Sequence, residues 1–131
     1  MQISNAAPKG KADRLSAIAS SYFFLALEHR RNGKFDYFLS RSEKFHSLAI
    51  EKEPNSPVHH NNRALVREAG RDFDGAFLDF KTAEQLCNGD KSTCTIVKKN
   101  AEKTETKMSI EKLRPLAEQI PIGIYSQSHY Y

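Results

Sequence analysis

The stretch Ser56 to Asn88, SPVHHNNRALVREAGRDFDGAFLDFKTAEQLCN, decides the architecture. Ser56 followed by Pro57 starts a helix, because a hydroxyl can accept from the free amides of the first turn and the ring is already set to a helical φ. Ala64, Leu65, Val66 and Ala69 follow as its apolar positions, and Gly70 closes it. Asp72 then caps a second helix carrying Phe73, Ala76, Phe77, Phe80, Ala83 and Leu86 on one stripe. Recurrence at three- and four-residue steps is the helical period. Two such helices joined by a few residues fold back as an antiparallel hairpin.

Working outward, the same plan stands 34 residues upstream: Leu39 answers Phe73, Ser42 Ala76, His46 Phe80, Ala49 Ala83 and Pro54 Asn88. Each unit of such a repeat covers only part of its own apolar face, so neighbours must stack. The upstream unit reads as a helix from Arg14 to Arg31, capped by Asp13, with Leu15, Ile18, Ala19, Tyr22, Leu25 and Ala26 as its apolar face. Arg30 and Arg31 suit the negative end of that helix, and Gly33 stops it. A second helix runs from Asp36 to Glu53 on Phe38, Leu39, Ser42, Phe45, His46, Ala49 and Ile50, and Pro54 ends it. Downstream, Asn88-Gly89-Asp90 is a turn and a fresh cap. A fifth helix from Ser92 to Met108 sends Cys94, Val97, Ala101 and Thr104 inward, and a short sixth from Ser109 to Glu118 is kinked near Pro115. No strand pattern is found. The expectation is an all-α chain of five to six helices, with a helical domain over 13–118, a flexible segment over 1–12 and a flexible tail over 119–131.

Asn61-Asn62-Arg63-Ala64-Leu65, then Gly70-Arg71-Asp72-Phe73, then Ala76, Phe80 and Ala83, resembles a tetratricopeptide repeat: a small residue in the first helix, then alanine, three residues and an aromatic. The match is good over about 56–89 and degenerate over about 15–55. There Ser42 and His46 replace alanine and an aromatic, and Gly33 to Pro54 holds four residues more than the pattern, one helical turn. Arg67 stands where an aromatic is usual, and Asn88 where the closing proline is. The resemblance implies antiparallel hairpins stacked as a short right-handed solenoid.

It also implies a non-catalytic protein–protein interaction module, adaptor or chaperone-like, holding a peptide or helix of a partner in the concave groove of the first helices. Carried over residue by residue, that groove comprises Phe23, Leu27, Arg30 and Arg31, then Val58, Asn61, Leu65 and Glu68, then Thr95, Lys99 and Lys103. Arginine grips carboxylates in a bidentate fork, so an acidic or carboxylate-ended segment is the expected partner. The lysine and asparagine spacing does not reproduce the family's clamp for chaperone tails. Two units and a covering helix fall short of the three that normally make a stable array. The Tyr22–Phe23–Phe24 region is therefore a candidate homodimer surface, and an obligate subunit of a larger assembly is the alternative reading.

Composition bounds the remaining classes. The 131 residues fit one domain, 39% hydrophobic and 27% charged, with a net charge of +4. Lys91, Lys98, Lys99, Lys103 and Lys107 interleave with Glu102 and Glu105, the pattern of a solvated helix, so nucleic acid is not expected. No apolar run nears the ~20 residues of a membrane span. Met1 to Lys11 lacks the apolar core of a secretory leader, so a cytoplasmic location is expected. Cys87 and Cys94 are either two small buried thiols or a disulfide, and a bridge in a chain whose leader had been removed means a secreted or periplasmic domain. Adjacent helical residues point about 100° apart, and His59-His60 has no carboxylate at ligand spacing in its own helix, so no metal and no cofactor are expected. His46, on an apolar face, reads as a core histidine. No phosphate loop, nucleophile elbow or catalytic carboxylate pair is found, and enzyme activity is not expected.

Overall fold

The computed structural model describes residues 10–119. They form α1 (Lys11–Glu28), α2 (Phe35–Lys52), α3 (Pro57–Ala69), α4 (Phe73–Leu86) and α5 (Lys91–Ala117), with no strand among the described residues. The fold is all-α. Each helix packs on the next, and α1–α3 and α3–α5 also touch. Pairs across α1 and α2 run in opposite order, Ser16 beside His46 and Ala19 beside Ser42, so these two helices are antiparallel.

The 34-residue offset is a structural equivalence. Ser42 and Ala76, His46 and Phe80, and Ala49 and Ala83 are all fully buried. α2 and α4 end at the same offset, Lys52 and Leu86, yet α2 has 18 residues and α4 has 14. The extra turn therefore sits at the start of α2. The polar residues of the first unit have partners on α1: the Ser42 hydroxyl donates to the Ala19 carbonyl at 2.7 Å, and His46 Nδ1 lies 3.3 Å from Ser16 Oγ. In the second unit Phe80 packs with Ala64, Ala76 and Ala101. Burying a phenylalanine contributes roughly 1.5–3 kcal/mol. A second cluster joins the hairpins through Ala26, Leu39 and Val66, flanked by Phe23, Phe35 and Phe38.

Charge-assisted hydrogen bonds fix α2, α3 and α4 together. Buried Asp79 accepts from Arg63 Nε and Nη2 at 2.8 and 2.7 Å and from Arg67 Nη1 at 3.0 Å. Arg67 Nε also donates to Glu43 at 2.7 Å, and Arg63 Nη1 to Ser47 at 3.2 Å. A guanidinium at the position of a usual aromatic thus works as an inter-hairpin tie. Cys87 and Cys94 form a disulfide across the α4–α5 turn, with Cα atoms 5.4 Å apart.

Several expected details are corrected. α1 begins at Lys11 with Gly10 at its cap, so Asp13 lies in the first turn and Lys11 and Ala12 are helical rather than flexible. Arg30 and Arg31 lie past the helix end, in the turn after Glu28. The buried line of α1 is Ala12, Ser16, Ala19 and Ala26, and Ile18 is 43% exposed. Small residues let α2 approach closely, and the larger Leu15, Tyr22 and Leu25 are half-buried at the flanks. Ser56 makes no side-chain cap, though Pro57 opens α3 as expected. Gly70 has φ −84°, and the left-handed residue is Arg71 at φ 66°. The fifth and sixth helices are one: α5 runs 27 residues through Pro115. That proline lies in the last turn, where it forfeits a single helical bond. The remainder of the expected flexible ends lies outside the described residues, save Gln119 in a turn.

Candidate partner-binding groove

α1, α3 and α5 line one face of the molecule, and that face is closed at one end and open at the other. The closed end is sealed by amides. Asn100 Nδ2 donates to Asn61 Oδ1 at 3.0 Å, Asn61 Nδ2 donates to Asn62 Oδ1 at 3.3 Å, and all three residues are buried. Asn61 is therefore engaged inside the fold and does not face a peptide, contrary to the groove expectation. One turn on, Glu68 accepts from Thr104 Oγ1 at 2.6 Å and pairs with Lys107 at 3.4 Å.

Beyond Glu68 the helices part around an open cavity of about 590 Å³. Its floor is apolar: Phe23 and Leu27 from α1, Leu65 and Ala69 from α3, Phe73 from α4 and Ile110 from α5. Its rim carries Arg30, Arg71, Lys107 and Arg114 against Glu68 and Glu111, so cations outnumber carboxylates two to one. Glu111 pairs with Arg71 and, at 3.0 Å, with Arg114. Arg30 and Arg71 rest over the rings of Phe35 and Phe73, 5.6 and 5.4 Å from the centroids. Aromatic faces hold a guanidinium in place while leaving its edge for a carboxylate. Arg71 reaches this position from a left-handed backbone, a conformation that costs a non-glycine residue roughly 1 kcal/mol. Its amide closes on the Glu68 carbonyl at 2.9 Å, and the Asp72 amide on Arg67 at 2.9 Å.

Of the residues expected to form a groove, Phe23, Leu27, Arg30, Leu65 and Glu68 line this cavity. Val58 and Asn61 do not line it, and Arg31 is exposed in the turn after α1. Thr95, Lys99 and Lys103 are exposed and do not line it either. The residues of α5 that reach α3 are Asn100, Thr104 and Lys107. Lys99 and Lys103 sit one position earlier, turned away by about 100°. The cavity residues missed from sequence include Lys107, Ile110, Glu111 and Arg114. Reading the last two helices as separate hid the run 100, 104, 107, 111 and 114, which is one helical stripe.

The residues of two other expectations are placed as follows. Tyr22 stacks on Phe38 and Phe45 within the chain, and Phe23 belongs to the cluster between the hairpins, so of that trio only Phe24 is largely exposed. His59 and His60 are buried, and the carboxylates absent from their own helix arrive from elsewhere: Asp13 from α1 and Glu53 from the turn after α2, both beside His59. No helix among the described residues is long and apolar enough to cross a membrane.

A scan against protein-family models, a search of curated proteins and a search of solved structures each find no match to this chain. The tetratricopeptide likeness therefore rests on the residue pattern, and the reading of the site rests on its own chemistry.

Proposed function

We propose that this chain is a non-catalytic protein-binding module of tetratricopeptide-like hairpins that holds an apolar, acidic segment of a partner protein. The observation that carries this reading is the open cavity, with its apolar floor and four cations against two carboxylates. Apolar side chains of the partner fill the floor, and its carboxylates take the edges of Arg30, Arg71 and Arg114. The triple variant R30E, R71E and R114E tests it. Once the partner has been captured from the source cells, the variant binds its acidic segment at least 10-fold more weakly and with little salt dependence. Affinity unchanged by the triple variant overturns the reading.

A second reading, an obligate subunit, is supported by α5. Ile110, Leu113 and Leu116 lie at three-residue steps and are 58, 59 and 60% exposed. Sedimentation separates the two: the module runs as a folded monomer or small oligomer alone, whereas an obligate subunit aggregates without its partner. The Cys87–Cys94 bridge supports an oxidising compartment over the cytoplasm. Mass measurement of the protein from its source, with and without reductant, tests that assignment.

A further inference from the structure

Away from the groove, three segments converge on one buried imidazole. Asp13 comes from the first turn of α1, Glu53 from the end of α2 and His59 from the first turn of α3. His59 Nε2 lies 3.8 Å from Asp13 Oδ1 and 3.7 Å from Glu53 Oε2, and the three donor atoms are all within 4.8 Å of one another. The His59 side chain is 1% exposed, Asp13 18% and Glu53 50%, so the cluster is closed on the protein side and open towards solvent.

The imidazole is the second observation. Neither His59 ring nitrogen has a hydrogen-bond partner, although both are buried. A buried polar atom left this way costs about 1–3 kcal/mol. The gaps of 3.7 and 3.8 Å are too long for hydrogen bonds. They are close to the spacing of donors around a shared cation: with bonds of about 2.0–2.2 Å, tetrahedral ligand atoms stand about 3.4 Å apart. Small rotations of the Glu53 and Asp13 side chains, 50% and 18% exposed, would close the difference. We propose that Asp13, Glu53 and His59 form a binding site for a divalent transition-metal cation of the zinc class, with water completing its coordination.

The donor set argues for that class. One imidazole nitrogen and two carboxylate oxygens suit Zn(II) and its first-row neighbours, whereas a calcium site is built from oxygens alone. Two carboxylates and a neutral imidazole balance the charge of the cation. The neighbouring turn is held as well: His60 Nε2 donates to the Pro54 carbonyl at 2.9 Å, next to Glu53. With Cys87 and Cys94 bridged, no free thiol competes for a soft metal. The cation thus ties α1, α2 and α3 at the end of the molecule away from the cavity.

The test uses the full chain, oxidised and stripped with chelator, titrated with Zn(II) and separately with Co(II). One Zn(II) binds per chain with a Kd below about 10 μM, and saturation raises Tm by about 5 °C or more. Co(II) gives a visible d–d spectrum. E53Q, at an exposed position outside the helices, and H59N each weaken Zn(II) at least 10-fold and lose the Co(II) spectrum. No saturable 1:1 binding below about 100 μM overturns the site, and so does binding that E53Q leaves unchanged. Where H59N fails to fold, E53Q alone decides.

Discussion

The two hairpins solve one packing problem with different chemistry. At positions 34 apart, equally buried, the second hairpin places Ala76 and Phe80 and the first places Ser42 and His46. Phe80 packs among alanines with Leu65 and Phe77 beside them, whereas Ser42 and His46 each lean on α1, through the Ala19 carbonyl and Ser16. Fully buried positions therefore need not be apolar: Ser42 has its partner opposite, and His46 has one at Nδ1 while its Nε2 is buried without a hydrogen bond. The second unit is consequently legible as a repeat from its own sequence, while the first makes sense only as a pair of helices.

Exchanging the two chemistries probes this contrast most severely. Phe80→His places an imidazole among Ala64, Ala76 and Ala101 without a partner, and chemical denaturation should show a loss of about 3–5 kcal/mol. Asp79→Ala removes the carboxylate that ties α3 to α4 and leaves Arg63 and Arg67 unpaired at that site, at a similar cost of about 3–5 kcal/mol. A loss below about 1 kcal/mol from Asp79→Ala would mean that α3 and α4 are held by the apolar cluster around Phe80 alone. Reduction of the Cys87–Cys94 bridge should cost on the order of 2 kcal/mol, because the loop it closes is short.

Acid separates the hairpins in another way. Burial, with His59 and Arg63 nearby, pushes His46 from 6.5 down to about 3. The unfolded chain takes up this proton below about pH 6.5 and the folded chain only near 3, so the unfolded state binds more protons in between. Stability is then full above pH 6.5 and falls towards pH 3, by at most about 1.4 kcal/mol per pH unit from this group. Denaturation with chelator present should show that slope, and the double variant S16A, H46F, which copies the second hairpin, should flatten it. A slope unchanged by the double variant assigns the acid sensitivity to other groups. Ser42→Ala should cost only about 1 kcal/mol. Smallest is Arg71→Gly, which relieves the left-handed backbone and should gain up to about 1 kcal/mol while weakening partner binding. A loss of stability there would show that the stacking on Phe73 outweighs the strain.

Much of the fold was readable because caps and breaks act locally. Pro57, Ala69, Asp72 and Leu86 bound α3 and α4 in the structure as the sequence places them. α1 was shifted because its buried line is made of Ala12, Ser16, Ala19 and Ala26, small residues that carry little hydrophobic signal. Half of the expected groove lines the cavity. Of the residues that do not line it, Lys99 and Lys103 differ by the register of α5, since one residue rotates a helical position by about 100°. Val58 and Asn61 instead lie towards the start of α3, and Arg31 in the turn after α1.

By itself the sequence determined an all-α chain, its 34-residue repeat and the boundaries of the second hairpin, because helical period, capping and turn chemistry are properties of neighbouring residues. Only tertiary structure decided which end of the α1–α3–α5 face is sealed by Asn61 and Asn100 and which opens as a cavity. It alone paired Asp79 with two arginines, and it alone gathered Asp13 and Glu53 around His59. Those arrangements join residues far apart in the chain, and burial, charge pairing and metal coordination act on distance in space.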